Sequence, residues 1–377
     1  MTGTGNSSNH PPLLPTTEED RVNRLRLLRS RRVGIATYRR LLAEHGSAQK
    51  ALEALPLIAS EAGVKGYETC PIGVAQAELK AGRAAGAHLI SDTDPQYPAN
   101  LHNIADAPPM IWALGNLDLL SRPMIALVGA RNASSLGTRM AKKLAAELAE
   151  AGFAVVSGLA RGIDTAAHIA ALPGGTIAVQ AGGVDTIYPV ENTQLSHDIA
   201  QKGLRISEMP MGMQPQARHF PARNRIISGM AQAVIVVEAA AKSGSLITAR
   251  NALDQARDVF AVPGHPFDAR AAGCNMLLRD GATLVRNATD VIEAISPVVS
   301  DTPELPLAPP PPKRPLRQTA ALHDEILSRL GPAPIAEDQL LRDVAEPAAK
   351  VAPVLVDLEL EGRIARQPGG LWATVTS

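Results

Sequence analysis

Short apolar runs and stretches with helical spacing alternate through the middle of the chain. The apolar runs are MIALVGA (124–130), FAVVSG (153–158), TIAVQAGG (176–183), LRISE (204–208), AVIVVEA (233–239), DVFAVPG (258–264) and, as a possible edge strand, ATLVR (282–286). Short strands that are apolar on both faces, separated by helices of roughly 10–15 residues, are typical of a doubly wound parallel sheet. The pattern therefore predicts an α/β core over residues 86–295. Ligands of such sheets bind beyond the carboxyl ends of the strands, near the topological switch point.

A helical domain is predicted before this core, over residues 18–85, where apolar residues recur at spacings of three, four and seven. Gly34 lies between two of its helical segments, and eight arginines fall between Arg21 and Arg40. One interpretation is a small helical domain with a basic, solvated face. The other is a SAM-like or helix–hairpin–helix-like domain that contacts nucleic acid, because a glycine turn between short helices lets the backbone approach a phosphate.

Two segments of the chain lack the apolar residues that a core needs. Residues 1–17 contain mostly Gly, Ser, Asn, Pro and Thr, so we expect a disordered lead-in. Residues 296–316 carry eight prolines and are expected to form a semi-rigid linker. After the linker, helical stretches and a Pro-Gly-Gly turn predict a winged-helix domain over 317–377. Its third helix is acidic, which is unusual for a helix that reads duplex DNA, so we expect this domain to contact protein or nothing.

Composition narrows the class of protein further. Lys plus Arg and Asp plus Glu both number 37, so the formal net charge is zero and a uniformly basic coat is excluded. Basic charge can still be concentrated on one face. Cys70 and Cys274 lie far apart, which excludes a disulfide scaffold or a zinc ribbon. No apolar run approaches the ~20 residues that span a bilayer, and no signal peptide is evident. We expect a soluble cytoplasmic protein without a membrane partner.

The candidate chemistry lies in four segments that follow or approach strand ends. They are GARNASSLG (129–137), SGLARGID (157–164), HFPARNRIISG (219–229) and KSGSLITAR (242–250). All four supply small residues, hydroxyls or arginines and few acids, which favours an anion held by backbone N–H groups, helix N-termini and guanidinium groups. The predicted DNA- or phosphate-binding residues are Gly129, Arg131, Ser134, Ser157, Gly158, Arg161, Gly162, Arg223, Asn224, Arg225, Ser243, Gly244, Ser245 and Thr248.

Nucleotide cofactors fit these segments poorly. Arg131 stands where a dinucleotide fold needs its second glycine, and the second strand ends in Ser157-Gly158 rather than in an acid. No G-K-[ST] sequence is present, so a Walker A loop is excluded. Arginines that recur across several loops suit a polymer backbone better than a single nucleotide. We therefore expect a nucleic-acid strand as the ligand, with no cofactor.

A catalytic constellation is not evident in the sequence. His265 is best interpreted as a turn residue and Asp164 as a helix cap, although Glu238 at a strand end remains a possible acid–base group in a small nucleotide pocket. No H-E-x-x-H, paired carboxylates or G-x-S-x-G are present, and no metal site is predicted. Aromatic stacking residues are scarce: Tyr188, Phe220 and Phe267 fall in loops, where we interpret them as core or turn packing.

The ordered motifs of the core resemble those of a known family. VGARNAS (128–134), SGLARGIDTAAH (157–168), FPARNRIISG (220–229), SGSLITA (243–249) and VFAVPG (259–264) are similar to those of the DNA processing protein A family, DprA or Smf. The similarity spans roughly residues 90–290, and its five motifs occur in order. It implies an extended Rossmann-like core, and the flanking segments look like the family's helical and winged-helix domains.

The resemblance also implies a function. Members of this family bind single-stranded DNA, protect incoming strands and help to load the RecA recombinase in natural transformation, commonly as homodimers formed through the core. Arg131, Arg161, Arg223 and Arg225 would then line the DNA pocket. The alternative is a nucleotide-hydrolysing enzyme of the LOG phosphoribohydrolase type. Such enzymes carry a P-G-G-x-G-T pattern where this chain has SGSLITA.

Overall fold

The structure, a computed structural model, describes residues 18–295 and 316–375, which fall into two compact units. The lead-in predicted over 1–17 lies outside the described residues, as does the linker predicted over 296–316 except for its last residue.

The first unit contains a nine-stranded sheet with the order β1-β2-β6-β5-β4-β3-β7-β8-β9. Its strands are β1 (His88–Ser91), β2 (Met110–Gly115), β3 (Met124–Val128), β4 (Ala154–Ser157), β5 (Thr176–Val179), β6 (Leu204–Ser207), β7 (Ala233–Val236), β8 (Asp258–Ala261) and β9 (Thr283–Leu284). The seven strands from β6 to β9 are parallel, whereas β1 and β2 pair in antiparallel fashion at one edge. The chain moves outward from β3 through β4 and β5 to β6, and then returns to β7 on the other side of β3. The switch point therefore lies between β3 and β7.

Helices cover both faces of this sheet. The helices of the first unit are α1 (Glu18–Arg29), α2 (Ile35–His45), α3 (Ala48–Glu61), α4 (Ile72–Ala84), α5 (Ser135–Glu150), α6 (Ile163–Ala171), α7 (Thr193–Lys202), α8 (His219–Met230), α9 (Ser245–Asp254), α10 (Ala272–Arg279) and α11 (Ala288–Ile295). Leu144 and Leu148 of α5 pack with α6 and α11 on one face. Ile226 of α8 and Leu246 of α9 pack with α10 on the other. Because both faces are buried, the central strands β3 and β7 consist entirely of buried apolar residues.

The predicted doubly wound sheet is confirmed, and each of the seven apolar runs contains an observed strand. Two features differ from the sequence-based expectations. Strands β1 and β2 were not predicted from the apolar pattern. The segment 219–229, interpreted as a strand-end loop, forms most of helix α8.

The N-terminal helices share a core with the two antiparallel strands. Leu25 of α1 and Leu79 of α4 pack around Trp112 of β2, whose side chain is 2% exposed. A methyl group at Gly82 would lie 2.2 Å from the Trp112 ring, so α4 needs a glycine there to approach β2 this closely. The Trp112 indole N–H donates to Glu78 (2.8 Å), which also pairs with Arg29 (2.8 Å). A buried polar network therefore fixes these helices to the sheet edge.

The second unit is a winged-helix domain, as predicted. It consists of α12 (Leu316–Arg329), β10 (Ile335–Ala336), α13 (Glu337–Val344), α14 (Ala348–Leu360), β11 (Ile364–Gln367) and β12 (Leu371–Thr374). The strands form a small sheet of order β10-β12-β11. Trp372, Leu340, Leu355 and Leu358 belong to its buried core. Strand β10 is too short for the apolar pattern to reveal.

Candidate functional site

A groove runs across the carboxyl ends of β3, β4, β5 and β7. It consists of two adjoining pockets that share Arg131, Ala160, Phe220 and Arg223 in their walls. We call the pocket that extends to Tyr188 and Glu191 the near half, and the pocket that extends to Lys242 and Arg270 the far half. The near half is further lined by Gly158, Arg161 and Gln180. The far half is further lined by Gly129, Asn224, Ser243, Gly244, Ser245 and Thr248.

The floor of the groove is organised by a buried arginine. Arg223, 5% exposed, donates from Nη1 to the carbonyl oxygens of Gly158 (2.5 Å) and Val179 (2.6 Å). It therefore ties the ends of β4 and β5 to helix α8. A Cβ at position 158 would lie 2.2 Å from the Arg223 guanidinium, so only glycine fits there. Burial lowers the pKa of Arg223 to about 10, and the nearby Asp164 carboxylate opposes this shift.

The carboxylate of Asp164 lies near the Arg223 guanidinium and opposes its positive charge. The same carboxylate accepts hydrogen bonds from the backbone N–H groups of Gly158 (3.1 Å) and Ala160 (3.3 Å). Burial raises the pKa of Asp164, whereas Arg223 and these hydrogen bonds act in the opposite direction. Asp164 lies within the first turn of α6, and it orders the loop that precedes the helix. The prediction that Asp164 caps the helix is wrong, because the N-cap residue is Gly162 and the carboxylate of Asp164 bonds to N–H groups of the loop instead.

The same loop is held by two residues that sequence reasoning did not select. Leu159 has a positive φ of 55°, which is costly for a branched side chain. Its N–H donates to Nε2 of His168 (3.2 Å), and its carbonyl accepts from the Asn192 amide (2.9 Å). His168 Nδ1 faces the Thr176 hydroxyl at 2.7 Å. Because Thr176 donates to Val155 (2.8 Å), His168 is neutral with its proton on Nδ1.

An exposed arginine and two aromatic rings meet where the halves join. The Arg131 guanidinium carbon lies 5.4 Å from the centroid of the Phe220 ring. The Tyr188 and Phe220 ring centroids are 5.5 Å apart, with their planes tilted by 53°. Tyr188 is 48% exposed. Contrary to the interpretation as core packing, Tyr188 and Phe220 both line the groove and form a surface on which a planar group can stack.

The near half ends in an exposed ion pair. Arg161 Nη1 and Glu191 Oε1 lie 3.6 Å apart, and both side chains are 61% exposed. A pair this exposed is weak. A phosphate can therefore replace the Glu191 carboxylate at low cost.

The far half presents donors at the start of a helix. The Ser243 and Ser245 hydroxyls lie 2.7 Å apart, and Lys242 is exposed beside them. The first N–H groups of α9 already have acceptors, because Ser245 donates to Ser243 Oγ (3.4 Å) and Leu246 donates to the Ser243 carbonyl (3.1 Å). The hydroxyls, the ammonium group and the positive end of the helix dipole together favour an anion.

The N-terminus of α5, also predicted to hold an anion, is already occupied. The backbone N–H of Ser134 donates to Glu238 Oε1 (2.9 Å), and its hydroxyl donates to Glu238 Oε2. The Ser134 hydroxyl also accepts from the Gly137 N–H (2.9 Å). The Glu238 carboxylate thus satisfies the groups that a phosphate would need. Ser134 is a capping residue in this structure, and Glu238, considered above as an acid–base group, holds the helix end.

Three further predicted residues lie outside the groove walls. Arg225 points away, and its guanidinium pairs with Glu208 (2.5 Å) and Asp106 (3.3 Å). Successive residues of an α-helix are rotated by about 100°, so Arg223 and Arg225, two positions apart, are rotated by about 200° and cannot face the same side. Ser157 is fully buried and donates to the Leu127 carbonyl (2.6 Å). Gly162 provides a turn with φ of 78°.

The structure thus brings ten of the fourteen predicted residues into one groove, namely Gly129, Arg131, Gly158, Arg161, Arg223, Asn224, Ser243, Gly244, Ser245 and Thr248. Groove residues that were missed include Lys242 and Arg270. Lys242 is the first residue of the segment 242–250 and could have been selected with it, whereas Arg270 lies six residues beyond the apolar run 258–264 and carries no such signal. Within residues 18–295 and 316–375, no cluster of His, Cys, Asp and Glu is arranged to hold a metal ion. None of the helices in these ranges is long and apolar enough to cross a bilayer.

Family models match the core of the chain, its N-terminal helical domain and its winged-helix domain. Residues 88–296 match the family model of DNA recombination-mediator protein A. Residues 18–81 match the DprA-like N-terminal HHH domain, and residues 310–370 match the DprA winged helix domain.

Individual relatives agree with these matches. DNA processing protein DprA of Streptococcus pneumoniae is 48% identical over 201 residues, which cover 53% of this chain and 71% of that protein. Protein Smf of Escherichia coli is 38% identical over 290 residues, covering 75% and 76%.

Two solved structures are similar in fold. The structure of DprA from Streptococcus pneumoniae has a TM-score of 0.56 at 43% identity and covers 59% of this chain and 77% of that one. A structure of DNA processing protein A from Helicobacter pylori, which concerns its single-stranded DNA binding mode, has a TM-score of 0.52 at 31% identity and covers 55% and 95%. The chain therefore belongs to the DNA processing protein A (DprA/Smf) family.

Proposed function

We propose that this protein binds single-stranded DNA along the groove and acts as a recombination mediator. The observation that carries the proposal is the meeting of an exposed arginine with an aromatic surface, Arg131 above Phe220, at the centre of a groove with cationic side chains at both ends. This combination of charge and stacking surface is typical of single-strand binding sites. The single-stranded DNA binding of the Helicobacter pylori relative supports the same function.

In this proposal, some groove residues contact the DNA phosphates and others contact the bases. Arg131, Arg161 and Lys242 are exposed and contact backbone phosphates. Tyr188 and Phe220 offer ring faces to unstacked bases. Arg223 is committed to two carbonyl oxygens, so it shapes the groove and adds positive potential from below. Phosphate contacts and stacking carry little sequence information, so binding is largely independent of base sequence.

Membership of the family supports a finer functional proposal. We propose that the protein protects incoming single strands, delivers them to a RecA-type recombinase in natural transformation, and acts as a homodimer formed through the core. A dimer would carry two such grooves. Cross-linking and sedimentation of the full chain test the dimer, and strand-exchange assays with RecA test the loading step.

We propose that the groove performs no catalytic step. A LOG-type hydrolase is not favoured, because the carboxylate of Glu238 already takes the N–H and the hydroxyl of Ser134 at the N-terminus of α5, where a nucleotide phosphate would compete with it. Incubation with nucleoside monophosphates tests this assignment. Release of free base at a rate proportional to protein concentration would contradict it.

Salt dependence tests the DNA-binding proposal directly. Each phosphate neutralised on a single strand contributes about −0.7 to the slope of log K against log salt concentration. Replacing Arg131 with Ala should lower the affinity for an oligothymidylate and make this slope shallower by about 0.7. Arg279, an exposed arginine of α10 outside the groove walls, provides the matched control, and Arg279→Ala should leave both quantities unchanged. Equal slopes for Arg131→Ala and the wild type would overturn the proposal.

A further inference from the structure

Phe267 is an aromatic side chain that the fold leaves in solvent. It is 94% exposed, although it belongs to a well-anchored loop between β8 and α10. Its ring centroid lies 5.5 Å from that of His265, and the two planes are inclined by only 35°. A large, isolated apolar surface of this kind gains nothing from the fold itself.

The loop holds Phe267 in place by a series of hydrogen bonds. The N–H of Asp268 donates to the His265 carbonyl (2.9 Å), and the N–H of Ala271 donates to the Asp268 carbonyl (2.9 Å). The side chain of Asn275 bonds to both the N–H (3.2 Å) and the carbonyl (3.0 Å) of Gly264. Phe267 is therefore presented by successive turns of fixed geometry, and its exposure is a property of the loop conformation.

The same loop is continuous with the far half of the groove. Arg270, three residues after Phe267, lines that half together with Lys242 and Ser243. The base of α10 is attached to the loop after β7, since the Gly273 N–H donates to the Ala239 carbonyl (2.7 Å). A strand that leaves the groove past Lys242 and Arg270 consequently meets the loop that carries Phe267.

We propose that Phe267, backed by the His265 ring, is a second stacking site for a nucleobase of single-stranded DNA, located beyond the far half of the groove. This inference rests on the proposed function and extends its track past the four strand ends that the groove covers. Arg270 pairs with Asp268 (3.2 Å), but the pair is exposed and therefore weak, so a phosphate can replace the carboxylate. Together with the exposed ammonium group of Lys242, Arg270 favours a polyanion over an apolar peptide. Stacking on an aromatic ring is tolerant of base identity, as the groove itself is.

Substitutions of Phe267 separate stacking from charge. Stacking of one base is worth about 1–3 kcal/mol by alanine substitution, so Phe267→Ala should weaken oligothymidylate binding by roughly fivefold or more. The slope with salt should not change, because no phosphate contact is lost. Phe267→Tyr should retain wild-type affinity. Leu253→Ala, which removes a side chain of α9 that is 59% exposed and outside the groove walls, should have no effect.

A fluorescence measurement reports the contact itself. The native Trp112 and Trp372 are only 2% and 4% exposed, so Phe267→Trp introduces an exposed indole whose emission a stacked base would quench. Oligothymidylate should quench this emission, whereas an abasic oligonucleotide of equal length should not.

The outcomes distinguish this inference from the proposed function. Unchanged affinity of Phe267→Ala, or an unquenched indole under saturating oligothymidylate, would overturn the stacking site while the groove proposal stands. Such a result would instead favour a protein partner for the exposed ring. If the wild type fails to bind oligothymidylate at all, both proposals are wrong.

Discussion

Arginines drawn from neighbouring motifs have different roles in this protein because burial and partners differ. Arg223 is buried against two carbonyl oxygens and keeps its charge beneath the groove. Arg131 lies exposed above an aromatic ring. Arg225, two residues from Arg223, is bound to carboxylates on the other side of α8. The sequence identifies which residues can bind phosphate, but the helical phase decides which of them face the strand.

The buried side chain of His168, which holds the β4–α6 loop of the groove, makes the free energy of unfolding depend on pH. Burial lowers the pKa of His168 from its ordinary value of 6.5 to about 3, with Arg223 contributing in the same direction. The unfolded chain therefore binds a proton at this residue below pH 6.5, whereas the folded protein does not. The stability that neutral His168 provides is fully present above the unfolded pKa and is lost as the pH falls toward 3. Between pH 7 and pH 5, this loss amounts to about 2 kcal/mol.

Urea denaturation of the wild type and His168→Asn at the two pH values measures this linkage. Asp164 and Glu208 have raised pKa values owing to burial and shift stability in the opposite direction, but they do so in both proteins. The stability difference between wild type and variant should therefore shrink by about 2 kcal/mol at pH 5. A difference that is constant with pH would show that His168 is protonated in the folded protein.

At the scale of elements, the parallel strands were predictable because burial on both faces leaves a continuous apolar run. Strands β1 and β2 were not predicted, since β2 pairs with β6, a strand far away in the sequence, and the edge strand β1 pairs only with β2. Helix α8 was mistaken for a loop because Pro221 stands in it. The proline occupies the first turn, where its missing N–H has no intrahelical acceptor to lose. The groove residues on loops were largely predictable from the sequence. The direction in which the Arg225 side chain leaves helix α8 was not.

Helix α5 provides a prediction at this scale, because an internal carboxylate occupies its N-terminus. Glu238→Gln removes a negative charge from the positive end of the helix dipole and weakens two hydrogen bonds to Ser134. We expect the free energy of unfolding to fall by roughly 1–2 kcal/mol, with an unchanged salt slope for DNA binding. Glu191→Gln is the control: it alters an exposed pair worth about 0–1 kcal/mol. If the two variants are equally stable, Glu238 does not stabilise α5.

At the scale of the whole molecule, a net charge of zero coexists with a locally cationic groove. The groove walls include two acidic side chains, Glu191 and Asp164, and acids outside the groove pair with surface arginines, as in Arg40–Glu44 and Arg286–Asp290. Such a distribution confines attraction for DNA to one edge of the sheet. It also means that the affinity of the full chain for a strand should be determined by the first unit.

Deletion of the winged-helix unit tests whether DNA binding is confined to the first unit. The exposed positions of α14 include Asp357 and Glu359, with Glu361 directly after the helix, and the ammonium group of Lys350 bonds to Glu346 (2.9 Å). An acidic helix repels phosphates, whereas a helix that reads duplex DNA is ordinarily basic. Deletion of residues 317–377 should therefore change oligothymidylate affinity by less than about tenfold, or 1.4 kcal/mol, and leave the salt slope unaltered. A tenfold or larger loss, measured beside Arg131→Ala in the full chain, would place a phosphate contact in the second unit and contradict the confinement of DNA binding to the groove.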